Sequence, residues 1–492
     1  MPQSSRPILI RPATGMPHRE PRGRLLLLSY HFPPGQSAGA LRWQKMVEHI
    51  SDAGWEVDVI TSAPATPLDE AAMGELDQLP PRVRVFALED TKSMVDEFVS
   101  PLVASVNWVR ALIKTRTSDP STLPQSKPAT VNERAHPKSI AARDVTWRPF
   151  HRSPRRAFFA VYRLAVEGTW AANAGILARR LIRGSDGYQI LVTSGPPHLV
   201  HFTAARIAIE YDIPHVLDLR DPWRFVERFH EPVASPVWNY ISAIAENWSI
   251  RGARLILANT PASARRLRQA YPHSSERIIS VPNGCDTVFP KHESPRRDPF
   301  TVLFAGSIYL DRDPVPFFRG VAGAIRSLDV SPSEFKVVFV GHVGFFEGIP
   351  TTELAREYGI SDYLELVPFE SRERLGERLY DAHVLLSLPQ DSDMAVPSKI
   401  YEYMGYPTWL MVMADPGSAT WELLDGTGAD LIPDRNPEEI ARILEKRFEQ
   451  YRRGELPLPL ANSSRVSRAD CIRPFMEFLE SHAIAGKQSR EH

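Results

Sequence analysis

A chain of 492 residues with 43% hydrophobic and 24% charged side chains has the composition of a folded globular protein with room for two or three domains. A net charge of −1 gives no global field for nucleic acid, and two cysteines, Cys285 and Cys471, exclude a disulfide framework and suit a reducing compartment. No apolar run approaches the roughly 18–20 residues that span a bilayer, and residues 25–28 are too short for a secretion signal's apolar core, so a cytoplasmic address is expected.

Residues 1–23, rich in Pro, Arg and Ser and without periodicity, predict a disordered leader. Residues 24–30 form a short apolar strand ending in His31-Phe32-Pro33-Pro34-Gly35-Gln36-Ser37-Ala38-Gly39-Ala40, and residues 41–53 repeat at helical spacing. Strand, glycine loop and helix open an α/β unit in which glycine lets backbone approach a ligand at the carboxyl edge of a sheet. The loop is not G-x-G-x-x-G and lacks the acidic residue that suits NAD, so a dinucleotide site is weakly supported; a plain turn on Gly35 and Gly39 remains open. Residues 55–61 and 83–88 read as the next two strands. Residues 114–155 predict a mobile insertion. Near its end Lys138, Arg143, Arg148, Arg152, Arg155 and Arg156 gather beside Trp147, Phe150, Phe158 and Phe159, a composition that suits a solvated loop or peripheral contact with anionic lipid on the inner face of a membrane.

A helical pattern over 162–183 leads to a strand at 188–193 that ends in Ser194-Gly195-Pro196-Pro197-His198. A second strand, 215–219, runs into Arg220-Asp221-Pro222-Trp223. In a parallel sheet both loops line one edge, and their side chains are those of a sugar site: imidazole and carboxylate for hydroxyls, guanidinium for phosphate, indole as an apolar platform. Asp218 reads as structural, pairing with Arg220 or capping a turn. Residues 236–253 form an amphipathic helix whose Trp238 and Trp248 are expected in the core. Thr260-Pro261 starts the helix after a strand at 254–259, by an N-cap and a proline. A turn at Asn283-Gly284 and a charged, proline-bearing stretch at 287–299 mark a linker.

The α/β alternation then restarts. Strands at 300–305, 335–340 and 364–369 end in Gly306-Ser307, Gly341-His342 and Phe369. The apolar run 384–388 gives way to a polar loop and then to Val396-Pro397-Ser398-Lys399-Ile400-Tyr401-Glu402-Tyr403-Met404-Gly405-Tyr406-Pro407. Proline and serine open a helix, predicted over 397–405, whose partnerless first-turn amides would face an anion. Lys399 and Glu402, three apart, share a face: one cation for a phosphate, one carboxylate for two ribose hydroxyls, or simply an i,i+3 ion pair with each other. Further helices are predicted at 437–453 and 465–482.

The segment P-S-K-I-Y-E-Y-M-G-Y-P resembles the donor-site motif P-S-K-x-x-E-Y-x-x-x-x-P of glycosyltransferase family 4-like enzymes. S-Y-x-F-P-P, S-x-P-P-H, D-L-R-D-P-W and P-N-G-x-D resemble further family segments, and together the likeness covers most of residues 24–480. It implies an α/β protein of GT-B fold, two Rossmann-like domains facing across a cleft. The expected layout is an acceptor domain at 24–286, a donor-nucleotide domain at 287–460, and a final helix at 461–485 packing back on the first. It also implies transfer of a sugar from a nucleotide diphosphate sugar to the hydroxyl of a glycan or lipid-linked acceptor, with retention, in polysaccharide or glycoconjugate biosynthesis.

By this resemblance His198, Asp221, Arg312 and Lys399 are the catalytic candidates, and Gly39, Gly306, Ser307, Gly341, Pro397, Ser398 and Glu402 bind the donor. Arg42, Arg220 and Trp223 fall on the acceptor side. One departure stands out: many members carry a second glutamate eight positions before the one matching Glu402, where this chain has Met394, leaving Asp391 or Asp393 as nearest substitutes for holding sugar hydroxyls. Asp311-Arg312-Asp313 and Asp391-Ser392-Asp393 mimic a D-x-D metal site but follow the pattern of strand-end loops, so neither a metal nor another cofactor is expected. A nucleotide-sugar epimerase of the same fold, or a non-catalytic binding relic, are the alternatives.

Overall fold

Leu25, Leu26, Leu27 and Leu28 are all fully buried, a run that suits only a strand covered on both faces, as in a parallel sheet between helices. A computed structural model of the protein describes residues 8–13, 21–35, 38–63, 70–89, 154–185, 187–223, 225, 235–286, 299–309, 312–389, 392–458, 460 and 466–488. The first sheet contains β1 (Ile8–Arg11), β2 (Arg24–Ser29), β3 (Glu56–Ser62), β4 (Val83–Leu88), β5 (Ile190–Ser194), β6 (His215–Leu219), β7 (Leu255–Ala258) and β8 (Ile278–Ser280). Its order is β1-β4-β3-β2-β5-β6-β7-β8, parallel except for β1 at the edge.

The second sheet holds β9 (Phe300–Ser307), β10 (Phe335–His342), β13 (Leu364–Val367), β14 (Val384–Ser387), β15 (Trp409–Met413) and β16 (Asp430–Ile432), while β11 (Phe345–Phe346) and β12 (Ile349–Pro350) form a separate hairpin. Its order, β13-β10-β9-β14-β15-β16, is parallel throughout. In both sheets the winding reverses beside the first long strand, between β2 and β5 and between β9 and β14. These switch points are where doubly wound sheets open a crevice for ligands.

The helices are α1 (Ala38–Asp52), α2 (Glu70–Asp77), α3 (Pro154–Arg183), α4 (Leu199–Tyr211), α5 (Pro236–Gly252), α6 (Pro261–Ala270), α7 (Val315–Leu328), α8 (Thr351–Glu357), α9 (Arg372–Asp381), α10 (Ser398–Tyr403), α11 (Ala419–Leu424), α12 (Pro437–Arg452) and α13 (Arg468–Gln488). Alternate residues of the strands sort the layers. Leu25 and Leu27 face α1 and α13, whereas Leu26 and Leu28 face α3 and α4. The last helix returns to the first domain: Ile472, Phe475 and Leu479 enter its core, Phe475 edge-on to Trp43 at 6.4 Å.

Three sequence expectations change. The leader is not wholly disordered, because Ile8–Arg11 adds a strand to β4, where the Arg11 guanidinium donates to the Pro80 carbonyl at 3.0 Å. Helix α3 starts at Pro154, inside the expected insertion. Helix α10 spans six residues rather than nine: Gly405 N–H donates to Glu402 O and Tyr406 N–H to Tyr403 O, i+3 bonds that tighten the chain into a turn before β15. Lys138, Arg143, Trp147, Arg148, Phe150 and Arg152 lie outside the described residues, as do 287–298 of the linker and Asp391.

Candidate active site at the facing sheet edges

Thr260 follows β7 and caps α6, its Oγ1 accepting from Ser263 N–H at 3.0 Å. The same hydroxyl donates to the Met394 carbonyl at 2.5 Å, in the loop after β14. One bond therefore joins the carboxyl edges of the two sheets, which face each other. Arg265 pairs with Glu422 nearby at 2.5 Å. The two chain crossings are laid side by side as well: Cys285 N–H donates to Val466 O at 2.8 Å, and Arg468 binds Asp286 at 2.9 Å.

On the second sheet, Gly306 and Ser307 stand opposite Gly341 and His342 in register. Gly341 has φ +118°, and a Cβ there would lie 2.3 Å from Gly306 O, so no side chain fits between the strand ends. Helix α10 is tied to β9 by the Tyr403 hydroxyl, which accepts from Ala305 N–H at 3.1 Å and donates to Ala305 O at 3.3 Å. Burial and the Glu402 carboxylate push the Tyr403 phenol above its usual range, while the Arg312 guanidinium acts against them. Arg312 lies over the Tyr309 ring, 4.8 Å from its centroid. Lys399 Nζ donates to Glu402 Oε2 at 2.8 Å, the side chains 35% and 37% exposed.

The ion pair expected as the plain alternative is therefore present, and it stays wet enough to open to a ligand. With α10 so short, and Pro397 offering no capping side chain, the positive charge here rests on Lys399 and Arg312 more than on a helix dipole. Ser398 starts α10, half-buried, next to Pro397.

Between the 388–397 loop and the turn after β15 lies a small recess, lined among others by Pro397, Asp393, Asp415, Ser418 and Arg435. Asp393 stands at its rim, the carboxyl raised by partial burial and then by Asp415. The separated segments that supply Asp415, Ser418 and Arg435 gave no shared signal in the sequence. Asp313 is occupied elsewhere, its Oδ1 accepting from Val315 N–H at 2.8 Å at the start of α7.

On the first sheet, β2, β5 and β6 are adjacent and parallel, so the loops carrying His31, His198 and Arg220–Asp221 converge at one edge. His198 is buried, stacked on Trp223 with centroids 5.1 Å apart. Burial draws its pKa down to about 4, with Asp221 pulling up and Arg220 pulling down, so the imidazole is neutral at pH 7. His31 is lowered by burial and then by Arg220, against Asp221. Arg220 Nε and Asp221 Oδ2 are 3.1 Å apart. Gly39, in the first turn of α1, makes room for Arg220: a Cβ on it would lie 1.7 Å from Nη1.

His31 was not singled out from the sequence, although its place at the end of β2, beside the switch point, was the available signal.

Two acceptor-side expectations are corrected. The Arg42 side chain is 1% exposed and paired with Asp218 at 3.0 Å; it also donates to Val281 O at 2.8 Å and Asn283 Oδ1 at 3.1 Å. It braces the interior, enclosed away from any site where an acceptor could reach it. Trp223 is buried against His198 and Trp238, so it backs the imidazole and offers no open platform. Asp218 is structural as expected, but its partners are Arg42, Trp43 Nε1 at 2.8 Å and Ser194 Oγ at 2.9 Å, not Arg220. Trp238 is in the core, whereas Trp248 lies on the outer surface against Phe202.

Residues 132–289 match the model of Glycosyltransferase Family 4. D-inositol 3-phosphate glycosyltransferase of Nocardiopsis dassonvillei is 29% identical over 222 residues, 41% of this chain and 49% of that protein. The chain thus matches about half the length of that relative. Among solved structures, Anabaena HepE in complex with UDP-glucose aligns with TM-score 0.55 and 14% identity, covering 93% of this chain and 100% of that one. Sucrose-phosphate synthase from Thermosynechococcus elongatus aligns with TM-score 0.52 and 13% identity, covering 96% and 98%. At such identities the likeness establishes the fold.

Proposed function

We propose, from the premise that the chain is glycosyltransferase family 4-like and of GT-B fold, that it moves a sugar from a nucleotide diphosphate sugar to an acceptor hydroxyl, with retention, in polysaccharide or glycoconjugate assembly. The supporting observation is the Thr260–Met394 contact, which brings together the carboxyl edges bearing the two sets of candidate residues. On the second domain, Glu402 takes the ribose hydroxyls, while Lys399 and Arg312 meet the diphosphate. Leaving-group departure concentrates negative charge there, and fixed cations stabilise it more in the transition state than in the bound donor. Gly306 and Gly341 leave the backbone bare at the strand ends, as a diphosphate needs, and Ser307 adds a hydroxyl beside them.

On the first domain, neutral His198 accepts a hydrogen bond from the acceptor hydroxyl, and Asp221 with Arg220 orients it. Met394 brings no carboxylate to the family's second acidic position, so the donor sugar is held by main-chain groups or by Asp391 and Asp393. No metal is invoked: Asp313 accepts from Val315 N–H and Asp393 faces the recess, and chelator is expected to leave turnover intact. Among the described residues no helix is long and apolar enough to cross a membrane.

The test is a thermal-shift panel of nucleotide sugars, with UDP-glucose first because the HepE complexes hold UDP and glucose species. A true donor at 100 times its dissociation constant adds about 2.7 kcal/mol of stability. Acceptor-dependent release of nucleoside diphosphate then separates a transferase from an epimerase.

A further inference from the structure

The helical layer over one face of the first sheet has its charges sorted by sign. Helices α3, α4 and α5 together contain eight arginines and three glutamates, with no lysine or aspartate. Glu167 and Glu246 are buried, which leaves Glu210 as the one exposed acid, already paired with Arg179 at 2.7 Å. The layer therefore presents arginine to its surroundings although the whole chain is near neutral.

The same layer exposes large apolar side chains. Tyr240, Ile244 and Trp248, at i, i+4 and i+8 on α5, are 70%, 50% and 38% exposed. Phe158 and Val161 on α3 are exposed too, and α3 packs on α5 through Ala160 and Leu164 against Trp238 and Ala245. Phe202 of α4 lies 4.9 Å from Trp248, so the three helices form one continuous surface.

Two occupants have the wrong charge. A second copy would bring the same arginine-rich face. Residues 90–153, which join β4 to α3, contain ten basic and six acidic residues and carry the same sign. An anionic surface with an apolar interior complements both properties.

We propose that this layer docks on a bilayer containing anionic phospholipid. Arginines meet headgroup phosphates, while Tyr240, Ile244 and Trp248 enter the boundary between headgroups and acyl chains. Arg206 and Arg251 are both exposed, Arg251 three residues after Trp248 on α5 and Arg206 four after Phe202 on α4, the ring against Trp248. Docking would hold the first domain beside lipid-linked acceptors, although the inference stands on the layer alone and not on the transferase assignment.

The test is sedimentation of the full chain with vesicles of phosphatidylcholine, alone or with about one third phosphatidylglycerol. The protein is expected to pellet with the anionic vesicles at low salt and to be released as salt screens the headgroups. Joint Tyr240→Ser and Ile244→Ser replacement is expected to weaken partitioning by about tenfold or more. Arg206→Glu with Arg251→Glu is expected to abolish the preference for phosphatidylglycerol. Failure of the wild type to pellet with anionic vesicles, or equal pelleting of the serine variant, overturns the proposal. So does a concentration-dependent dimer that the serine variant loses, since it assigns the face to a second copy. Nucleotide-sugar binding in vesicle-free solution is measured in parallel, so that loss of docking and loss of the donor site read out separately.

Discussion

The Arg220 guanidinium rests against the Cα of Gly39, so closely that a methyl group on the glycine would stand 1.7 Å from Arg220 Nη1. Gly39→Ala is therefore expected to displace the arginine from the edge it shares with Asp221, His31 and His198. Because the far end of a flexible side chain moves, stability should change by only about 1 kcal/mol, whereas loss of a charged contact worth about 1.5–3 kcal/mol should lower kcat/KM about 10- to 100-fold. Thermal melts beside steady-state kinetics check this. An unchanged kcat/KM would mean that Arg220 does not serve the site.

Asp218 carries the interior of the first domain. Asp218→Ala leaves Arg42 buried without its carboxylate and leaves Trp43 and Ser194 without an acceptor. Breaking a buried pair from one side costs about 3–5 kcal/mol. Urea unfolding should show the midpoint fall accordingly, and an unchanged midpoint would refute the bracing role.

Three buried histidines make the first domain acid-sensitive. His198 is drawn down to about 4 and His215 to about 3, with burial the leading cause, and His201 lies well below its ordinary value of 6.5. All three are neutral in the fold but take up protons near pH 6.5 when unfolded. The unfolded chain thus binds more protons below pH 6.5, and stability falls as pH drops from about 6.5 toward 4, by about 1.4 kcal/mol per pH unit for each histidine. Chemical denaturation at pH 7.5, 6 and 5 reads this slope. His198→Asn should flatten it, and an unchanged slope would show that His198 stays solvated.

Gly341→Ala meets two obstacles, a φ of +118° and the Gly306 carbonyl 2.3 Å from the new Cβ. Backbone strain of this kind costs about 1–3 kcal/mol, and the β9 end must shift to relieve the contact. Both stability and donor affinity should fall, as measured by thermal melt and ligand titration. A variant with native donor affinity would place the diphosphate away from this strand end.

Local sequence carried much of the fold. Four consecutive buried leucines announced β2, Thr260-Pro261 announced the start of α6, and the second α/β series was legible from its apolar runs. What sequence alone could not supply was burial set by distant partners. Arg42 looked available because Asp218, 176 positions away, is not visible as its counterion until the sheet forms. Trp223 looked like a sugar platform because its cover comes from Trp238 and His198. Helix α10 differs, because its stop is local: Gly405 follows the C-cap Met404 and Pro407 comes two residues later, and the i+3 bonds at 405 and 406 form a turn beyond the helix. Arg312 and Glu402 are grouped by the resemblance alone, and what the structure adds is that the Tyr403 hydroxyl ties α10 to β9 at Ala305.

Isothermal titration of the wild type, Lys399→Ala and Glu402→Ala with UDP-glucose and then the other nucleotide sugars tests the donor site most directly. The two side chains form a half-exposed pair, so either variant should fold with stability within about 1 kcal/mol of the parent. The wild type is expected to bind one nucleotide sugar saturably. Each variant should bind it about 10- to 100-fold more weakly, the loss of one charge-assisted hydrogen bond. Equal affinity in all three folded proteins would contradict the donor site on α10, and with it the proposed transfer.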